Sequence, residues 1–528
     1  MRELFVRGVT RTLGRVLAPG RRDFRDSLCA PRTAQDAVLR SAIDLLAATQ
    51  YGRVHGIRSD DDYAAFRERL PVVDYEDLAP WVERQMRDEG SILVPGPVSV
   101  YEKTSGSSGP AKYIPYTAPL RRAFDRMFRL WLADLLAHGP RMVTGRTWMS
   151  VSARLDARET TPRGVPVGLA SDVDYLDGAW RWLVRHFLVL PPALARVRDA
   201  EAMKRVLAAH LVTGRPEVIS VWSPSFITVL LDWIVEHREE LLADCRARGV
   251  RAGQCTFRLP ALASDVVAAL EQDRIEWRRV LPDLRLVSCW ADGPAAVAAA
   301  HLRRQLPWAV LQPKGLLATE APITLPLGNP SVCLPLISEV FLELADDSGG
   351  IHRIDEVVLD REYSVIVTAP GGFARYRLGD RVRAGDPVGA TPSLVFVGRE
   401  GEVSDLVGEK LAEQFVRSAL EALPIASTGF RALVPLREPD GRGRYVLLLD
   451  QAPVVREGLS DRLDALLQQA HRYREARQLG QLDPPTLAVV PSAAGRLLDA
   501  LEARGMRRGA IKPTCLVRDP QIGRELFA

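Results

Sequence analysis

A run of hydroxyl residues and glycines between two apolar segments constrains this chain more than any other feature. The segment extends from Val98 to Thr117 and has the sequence VSVYEKTSGSSGPAKYIPYT. Its first residues are typical of a strand, and the apolar pattern that begins at Leu120 predicts a helix after it. The hydroxyl and glycine residues, named the Ser/Gly loop, are Thr104, Ser105, Gly106, Ser107, Ser108 and Gly109. Backbone N–H groups and hydroxyls in such a loop can surround an anion, but a flexible turn has the same composition, and the loop alone leaves both interpretations open.

Lys112 follows the loop in a chain that otherwise uses arginine for its positive charge. The sequence contains six lysines and 64 arginines. Lysine carries a compact charge on a flexible stem, whereas arginine is a rigid planar fork. A lysine retained against this bias indicates a position that needs a reaching ammonium group, and we predict that Lys112 binds an outer phosphate. The spacing excludes a Walker A loop, because only two residues separate Gly106 from Gly109 and Tyr113 follows the lysine.

The bulk properties limit the class of protein. A chain of 528 residues is too long for one core, so we expect about two or three domains. The net charge of +4 is small for this length and argues against a surface that coats nucleic acid. Six cysteines without a CxxC pair make structural zinc and a disulfide framework improbable and suit a reducing cytoplasm. No apolar run has the length of a membrane span, and the arginine-rich segment Met1–Arg22 is predicted to be a helix packed on the body of the protein.

The Ser/Gly loop and Lys112 resemble the phosphate loop of adenylate-forming enzymes. That pattern is a Ser/Thr/Gly run, a glycine, two variable residues and a lysine. With Tyr113-Ile114-Pro115 after it, the loop looks most like a bacterial-type member of the GH3 family, the acyl-acid amido synthetases. Other elements similar to the family pattern follow in the same order: Thr319-Glu320, Tyr376-Arg377-Leu378-Gly379-Asp380, Gly398–Glu402 and Arg508–Pro513.

The resemblance implies a mixed α/β fold with two parts. Residues 1–398 would form a large adenylation domain with mixed β-sheets, and residues 399–528 a small, mobile α+β lid. The charged, glycine-flanked segment Gly398–Glu402 is typical of a domain boundary. The hinge is therefore expected near residues 399–402.

The family pattern assigns phosphate and metal contacts to the segment after a predicted strand at Trp308–Gln312. Thr319 would contact the α-phosphate and Glu320 would hold Mg²⁺ against the nucleotide, since Mg²⁺ prefers carboxylate and phosphate oxygens. The aromatic residue that often packs on adenine in the family is Leu316 in this chain. That departure weakens the expected adenine contact and leaves the phosphate contacts unchanged.

Three further residues would contact the nucleotide if the resemblance holds. Asp380 would accept hydrogen bonds from the ribose hydroxyls, and a carboxylate makes such bonds strong. The alternative for Asp380 is a surface carboxylate paired with nearby arginines. Arg399 would lie near the nucleotide. Gly293 keeps the turn that borders adenine in the family, although the residues around it differ from the family pattern.

An apolar segment at 219–237 is expected to form a strand, a Ser-Pro-Ser turn and a helix. In adenylating enzymes a turn of this kind lies near the substrate. Trp222, Ser223 and Phe226 are therefore candidates for contact with the acyl chain. Ordinary core packing is the alternative and is favoured by the residues alone.

Lys512 is the last candidate, in the short segment Arg508–Pro513. The resemblance implies a lysine that swings into the large domain and neutralises charge between the carboxylate and the α-phosphate as they react. A solvated surface lysine is the alternative.

The implied reaction has two steps and uses ATP with Mg²⁺. A carboxylic acid becomes an acyl-adenylate with release of pyrophosphate, and an amine, with an amino acid favoured, then takes the acyl group and releases AMP. No nucleic-acid or obligate protein partner is implied. A thioester ligase that uses coenzyme A or a carrier protein, a non-catalytic binder of acid or nucleotide, and a phosphotransferase that yields ADP remain as alternatives.

Overall fold

The chain folds into two compact units in a computed structural model. The first unit comprises Met1–Ala291, Ala298–Leu378 and Val382–Phe396, and the second comprises Asp292–Val297, Gly379–Arg381 and Val397–Ala528. The structure describes every residue except 1, 105–111, 150–158, 169–184, 198, 329–331, 401–402, 405, 407–408, 410, 426–428, 438–442, 454–455, 479–481, 505, 507–510, 512–513 and 528. The functional division at 398/399 with a hinge at 399–402 stays a prediction.

The first unit contains most of the helices. Their bounds are Arg2–Cys29, Pro31–Ala47, Gln50–Val54, Tyr63–Arg69, Tyr75–Arg87, Ala118–His138, Ala200–Gly214, Pro224–Glu236, Arg238–Ala247, Ser264–Leu270, Trp277–Val280 and Ala296–Gln305. The last of these begins in the residues assigned to the second unit.

Fifteen described strands precede residue 400. They are β1 Val100–Thr104, β2 Lys112–Tyr116, β3 Thr147–Met149, β4 Val218–Ser220, β5 Gly249–Ala252, β6 Cys255–Arg258, β7 Leu286–Cys289, β8 Val310–Pro313, β9 Thr324–Leu327, β10 Val332–Pro335, β11 Phe341–Ala345, β12 Ile351–Arg353, β13 Glu362–Thr368, β14 Tyr376–Val388 and β15 Thr391–Arg399.

One core of the first unit joins two distant stretches of sequence. Buried side chains from residues 24–130 pack with those from residues 316–394. The five-stranded sheet in the order β12-β11-β13-β14-β15 lies in this core. Gln35, on helix Pro31–Ala47, is 1% exposed. Its side-chain amide donates to the carbonyls of Ile337 and Val340 at 2.7 and 2.8 Å and accepts from Leu342 N–H at 2.8 Å. The N-terminal helices are thus tied by buried hydrogen bonds to a sheet that comes some 300 residues later.

A second core is formed by the residues that lie in sequence between the two stretches of the first core. It contains buried residues from Trp148 to Ala309 and surrounds a parallel four-stranded sheet in the order β3-β4-β7-β8. Thr147 pairs with Val218, Leu286 with Val218, and Leu286 with Val310, so all four strands run in one direction. Their carboxyl ends therefore meet at one edge of the sheet, where parallel sheets commonly bind ligands.

The second unit is a small α+β assembly. Its strands are β16 Val403–Ser404, β17 Leu411–Ala412, β18 Arg431–Arg437, β19 Gly443–Leu449 and β20 Thr486–Val489, and its helices are Glu413–Glu421, Leu459–Leu467, His471–Gln478, Ala493–Glu502 and Pro520–Phe527. β18 and β19 pair antiparallel, and β19 and β20 pair parallel. The sequence pattern over 459–478 predicts one helix, but the structure has two there. The helix Pro520–Phe527 has no counterpart among the elements that the sequence predicts.

Several local predictions differ from the structure at helix starts and in one loop. The apolar pattern predicts a helix that begins at Thr33, but the helix begins at Pro31, since proline at the first helical position needs no N–H partner. Ser59 is the cap that the sequence suggests for a later helix, but that helix, Tyr63–Arg69, is capped by Asp62, whose carboxylate accepts from Ala65 N–H at 2.8 Å. Residues 355–359 alternate apolar and polar side chains, which predicts a strand, yet they form turns. The N-terminal helix is confirmed and extends to Cys29.

The helices of the described part of the chain were compared with the requirements of a membrane span. None of them combines sufficient length with sufficient apolar character to cross a bilayer.

Candidate active site

A hairpin holds the two ends of the Ser/Gly loop together. β1 and β2 pair antiparallel over five residue pairs, from Val100 with Tyr116 to Thr104 with Lys112. Thr104 and Lys112 therefore lie directly opposite each other at the mouth of the loop. Lys112 begins β2, and the helix predicted from the apolar pattern at Leu120 is present and starts at Ala118. The strand register thus fixes the backbone of Lys112.

The remaining loop candidates lie outside the described residues. They are Ser105, Gly106, Ser107, Ser108 and Gly109. Lys512 also lies outside them.

The structure links Lys112 and Glu320 through one hydroxyl group. The Lys112 ammonium donates to the Tyr376 hydroxyl at 3.4 Å, and that hydroxyl donates to Glu320 Oε1 at 3.4 Å. Lys112 also lies 5.4 Å from the centre of the Tyr75 ring, within the range of a cation–π contact. Both contacts are longer than ordinary hydrogen bonds, so a stronger anionic or cationic partner can replace them at little cost. We name these residues the Lys112–Tyr376–Glu320 cluster.

A tight turn presents Thr319 and Glu320 to this cluster. Ala318 N–H donates to the Ala321 carbonyl at 3.1 Å, which leaves Thr319 and Glu320 as the two residues at the tip. Tyr116, on β2, donates from its hydroxyl to the Thr319 carbonyl at 2.8 Å. The strand that carries Lys112 therefore also anchors the turn that carries Glu320.

A buried ion pair fixes the backbone next to Tyr376. Its hydroxyl reaches the cluster, yet the residue is only 1% exposed. The preceding residue, Arg375, has a positive φ of 46° and a guanidinium that contacts Glu343 through two bonds of 2.9 and 3.0 Å. The same guanidinium donates to the Leu70 carbonyl at 2.7 Å. With the two side chains of the pair only 5% and 1% exposed, the ion pair fixes the backbone that aims Tyr376.

Glu320 is the residue that the sequence predicts to hold a metal ion. Within the described ranges, no group of three or more His, Cys, Asp or Glu side chains converges as a metal site. Mg²⁺ usually binds through one or two carboxylates together with substrate phosphates and water. The Glu320 carboxylate is a ligand of this kind, and its role in holding Mg²⁺ stays a prediction.

The second unit carries the predicted adenine and ribose residues. Gly293 has a φ of +53° and begins a short 3₁₀ turn, a conformation that favours glycine. Burial raises the pKa of the adjacent Asp292 carboxyl group. Asp380 lies on β14 and is 3% exposed. β15 ends at Arg399. The roles assigned to Gly293, Asp380 and Arg399 stay predictions.

Leu316 does not offer a surface for adenine. It is 8% exposed and packs in the first core, while its N–H donates to Thr324 Oγ1 at 2.7 Å. Gly315, with a φ of +70°, turns the chain at this point, and a Cβ there would lie 2.6 Å from Thr324 Oγ1. This leucine is therefore a structural residue of the turn.

The three acyl-chain candidates separate into different environments. Phe226 packs against the second core, with its ring centre 6.1 Å from that of Trp148, as the core alternative predicted. Ser223 is 5% exposed and begins helix Pro224–Glu236. Trp222 is half-buried at the carboxyl edge of the parallel sheet, where its ring lies 5.8 Å from that of Trp290. Of the three, Trp222 is placed best to meet a ligand.

Two residues of this region were missed by the sequence analysis. Tyr376 was quoted within a motif without a role, and its hydroxyl links the two charged groups of the cluster. Lys314 was counted among the rare lysines and given no role. Because lysine is rare in this chain, composition pointed to Lys314 as much as to Lys112.

Family models match most of the chain in sequence order. The GH3 family N-terminal domain matches residues 20–306, the central domain matches residues 340–399, and the C-terminal domain matches residues 411–521. Among named relatives, the chain is 23% identical over 440 residues to the jasmonoyl–L-amino acid synthetase JAR6 of Nicotiana attenuata. That alignment covers 76% of this chain and 74% of the relative.

Solved structures show the same fold. The GH3.15 acyl acid amido synthetase in complex with 2,4-DB matches with a TM-score of 0.81 at 18% identity, covering 97% of this chain and 96% of that one. A 2-hydroxyisobutyryl-CoA ligase in the postadenylation state, with R3-HIB-AMP bound, matches with a TM-score of 0.52 at 15% identity, covering 95% of this chain and 91% of that one. The predicted mixed α/β fold of adenylate-forming enzymes is confirmed by these likenesses.

Proposed function

The chain belongs to the GH3 family, and we propose that it is an ATP-dependent acyl-acid amido synthetase. The observation that supports this function most directly is the Lys112–Tyr376–Glu320 cluster at the mouth of the Ser/Gly loop. In this cluster Lys112 offers a cation for phosphate and Glu320 offers a carboxylate for a metal ion. Tyr376, which is buried, contacts both and sets their spacing. Relatives and structural neighbours named as amido synthetases support the same conclusion.

The reaction proceeds in two transfers. A carboxylate oxygen of the acid attacks the α-phosphorus of MgATP, and the bond to the β-phosphate oxygen breaks, which yields acyl-adenylate and pyrophosphate. An amine nitrogen then attacks the acyl carbon, the bond to AMP breaks, and the nitrogen loses a proton. The products are an amide and AMP, and an amino acid is the favoured amine.

Each residue of the site would act by positioning and by balancing charge. Lys112 and the Ser/Gly loop would hold the outer phosphates, and Thr319 would contact the α-phosphate. Glu320 would hold the Mg²⁺ ion that arrives with ATP. Asp380 would bind the ribose hydroxyls, with Gly293 and Arg399 near the base and the phosphates.

Lys512 would assist only the first transfer. Its ammonium would neutralise the charge that builds between the carboxylate and the α-phosphate. In this proposal residues 1–398 form the adenylation domain, and residues 399–528 form a lid that turns about 399–402 and withdraws Lys512 after adenylation.

The cellular setting follows from the same proposal. All six cysteines are free thiols, which supports a reducing compartment such as the cytoplasm. The partners would be small carboxylic acids and amines, without nucleic acid.

A thioester ligase is the second candidate. The likeness to the 2-hydroxyisobutyryl-CoA ligase favours it, because that protein shares the fold. The GH3 family match and the relatives named as amido synthetases favour the amide as the product.

ATP–pyrophosphate exchange tests the function directly. The purified chain is incubated with labelled pyrophosphate, MgATP and one acid at a time from aryl, indole, fatty and keto acids, without an amine. Exchange that depends on one acid class is expected, and adding amino acids or coenzyme A separately then identifies the acceptor. ATP binding without exchange from any acid would favour a non-catalytic binder, and ADP as product would favour a phosphotransferase.

A further inference from the structure

Lys314 lies at the carboxyl edge of the parallel sheet, directly after β8. Its backbone N–H donates to the Cys289 carbonyl at 3.0 Å, which continues the pairing of β7 with β8 by one residue. The lysine therefore stands where open parallel sheets bind their ligands. Because Glu320 follows only six residues later, the chain limits the separation of the two Cα atoms to about 20 Å.

The Lys314 ammonium contacts a buried hydroxyl and the face of an indole ring. Nζ donates to Ser220 Oγ at 2.9 Å and lies 5.0 Å from the centre of the Trp222 ring. Trp290 packs beside Trp222 at 5.8 Å with the two rings tilted by 43°. We name Ser220, Trp222, Trp290 and Lys314 the Lys314–tryptophan cluster.

The elements under this cluster hold it firmly. Ser220 ends β4 and is 7% exposed, and Trp290 follows the last residue of β7. Trp290 N–H donates to the Trp222 carbonyl at 2.8 Å, so the two indoles are tied by a backbone hydrogen bond. The cluster is therefore set by the strands and does not require a ligand to assemble.

The choice of lysine points to a ligand group. With 64 arginines and six lysines in the chain, a cation needed only for packing on tryptophan would be expected to be arginine, which stacks better on aromatic rings. A lysine instead offers a compact charge that can leave the hydroxyl of Ser220 for a stronger acceptor. Two indole faces beside it suit a flat aromatic ring.

We propose that the Lys314–tryptophan cluster binds an aromatic acid that carries a second anionic group, with Lys314 paired to that group. This inference rests on the proposed acyl-acid function and specifies its substrate class. The second group, and not the reacting carboxylate, is assigned to Lys314, because a carboxylate held by an ammonium is a poorer nucleophile. The aromatic ring lies against Trp222 and Trp290, and the reacting carboxylate extends toward Thr319 and Glu320.

The test uses one pair of acids that differ only in the second carboxylate, phenylacetate and 4-carboxyphenylacetate. ATP–pyrophosphate exchange and calorimetric titration of each acid are measured for the wild type and for Lys314→Met. The wild type is expected to prefer the dicarboxylate by about 10-fold or more in kcat/KM, as one charge-assisted contact provides. Lys314→Met is expected to lower kcat/KM for the dicarboxylate about 10- to 100-fold and to change it for phenylacetate less than about 3-fold.

Control variants separate recognition from structure. Lys204→Met removes another rare lysine, which pairs with Glu201 on helix Ala200–Gly214. This variant is expected to leave kcat/KM for both acids unchanged. Lys314→Arg keeps the charge and is expected to restore part of the preference. A similar loss for both acids in Lys314→Met, or a wild type without preference, would overturn the inference while leaving the enzyme function intact. A wild type that exchanges with no acid and binds neither in the titration would overturn both.

Discussion

Replacing Lys112 by methionine removes the cation of the Lys112–Tyr376–Glu320 cluster and keeps most of the side-chain volume. Two hydrogen bonds of 3.4 Å through Tyr376 place the ammonium within about 7 Å of the Glu320 carboxylate. At an effective dielectric constant of about 20, their attraction is about 2 kcal/mol. A charge-assisted hydrogen bond to phosphate contributes about 1.5–3 kcal/mol. The ammonium gives up part of its attraction to Glu320 when it binds phosphate. We therefore expect Lys112→Met to lose a net of about 2 kcal/mol of the free energy that stabilises bound ATP.

That free energy corresponds to a decrease of about 30-fold in kcat/KM for ATP in the pyrophosphate-exchange assay. The second transfer is expected to be spared. Lys112 is assigned to the outer phosphates, which have left as pyrophosphate before the amine attacks. With synthetic acyl-adenylate and amine supplied together, Lys112→Met should therefore form amide within about 3-fold of the wild-type rate.

Lys103→Met is the matched control on the same hairpin. Lys103 pairs with Glu159 at 3.0 Å, and both side chains are more than 40% exposed. Exposed ion pairs contribute at most about 1 kcal/mol to stability, so this variant should retain nearly full exchange activity. Equal losses in the two half-reactions of Lys112→Met, or the same loss in Lys103→Met, would refute the assignment of Lys112 to the outer phosphates.

Three other substitutions test separate parts of the structure. Lys512→Ala should reduce adenylation by orders of magnitude and leave amide formation from supplied acyl-adenylate unchanged; equal loss in both half-reactions would make the swinging-lysine assignment wrong. Glu343→Gln leaves the Arg375 guanidinium buried without its counter-ion and should lower the free energy of unfolding by about 3–5 kcal/mol in urea titrations. A change below about 1 kcal/mol would mean that the backbone carbonyls alone satisfy Arg375. Burial raises the pKa of Glu339 from 4.5 to about 7 against the opposing effect of Arg126. The folded state therefore holds a proton that the unfolded state has lost, and stability should fall as the pH rises from about 5 to 7. Glu339→Gln should flatten that part of the Tm–pH profile, and an unchanged slope would assign it to other groups.

The sequence predicted the features that depend on neighbouring residues. The helix after the Ser/Gly loop was expected because its apolar side chains recur at helical spacing, and it is present at Ala118–His138. The strand, turn and helix over 219–237 were also predicted, and they are present as β4 and Pro224–Glu236. Lys112 was singled out from composition and from its place after a glycine-rich run, and its phosphate role stays a prediction.

Local sequence patterns did not predict contacts between residues that are far apart in the chain. Lys112 and Tyr376 are 264 residues apart, and no local pattern indicates that the tyrosine hydroxyl joins the lysine to Glu320. Alternation of apolar and polar residues predicted a strand at 355–359, where the chain instead makes turns. Alternation alone does not show whether a neighbouring strand exists to pair with.

The hydrogen bonds of Gln35 bear on the order in which the chain acquires its structure. They join the second helix to residues 337–342, across 302–307 residues of sequence, and Arg375 reaches back over a similar distance to Leu70. Contacts this far apart in sequence slow folding, because a long loop must close before they form. On the ribosome, the N-terminal helices emerge long before their partners, while the second core between them is already complete in sequence. The first core is then the last part of this unit to close, and the Lys112–Tyr376–Glu320 cluster assembles only when it does.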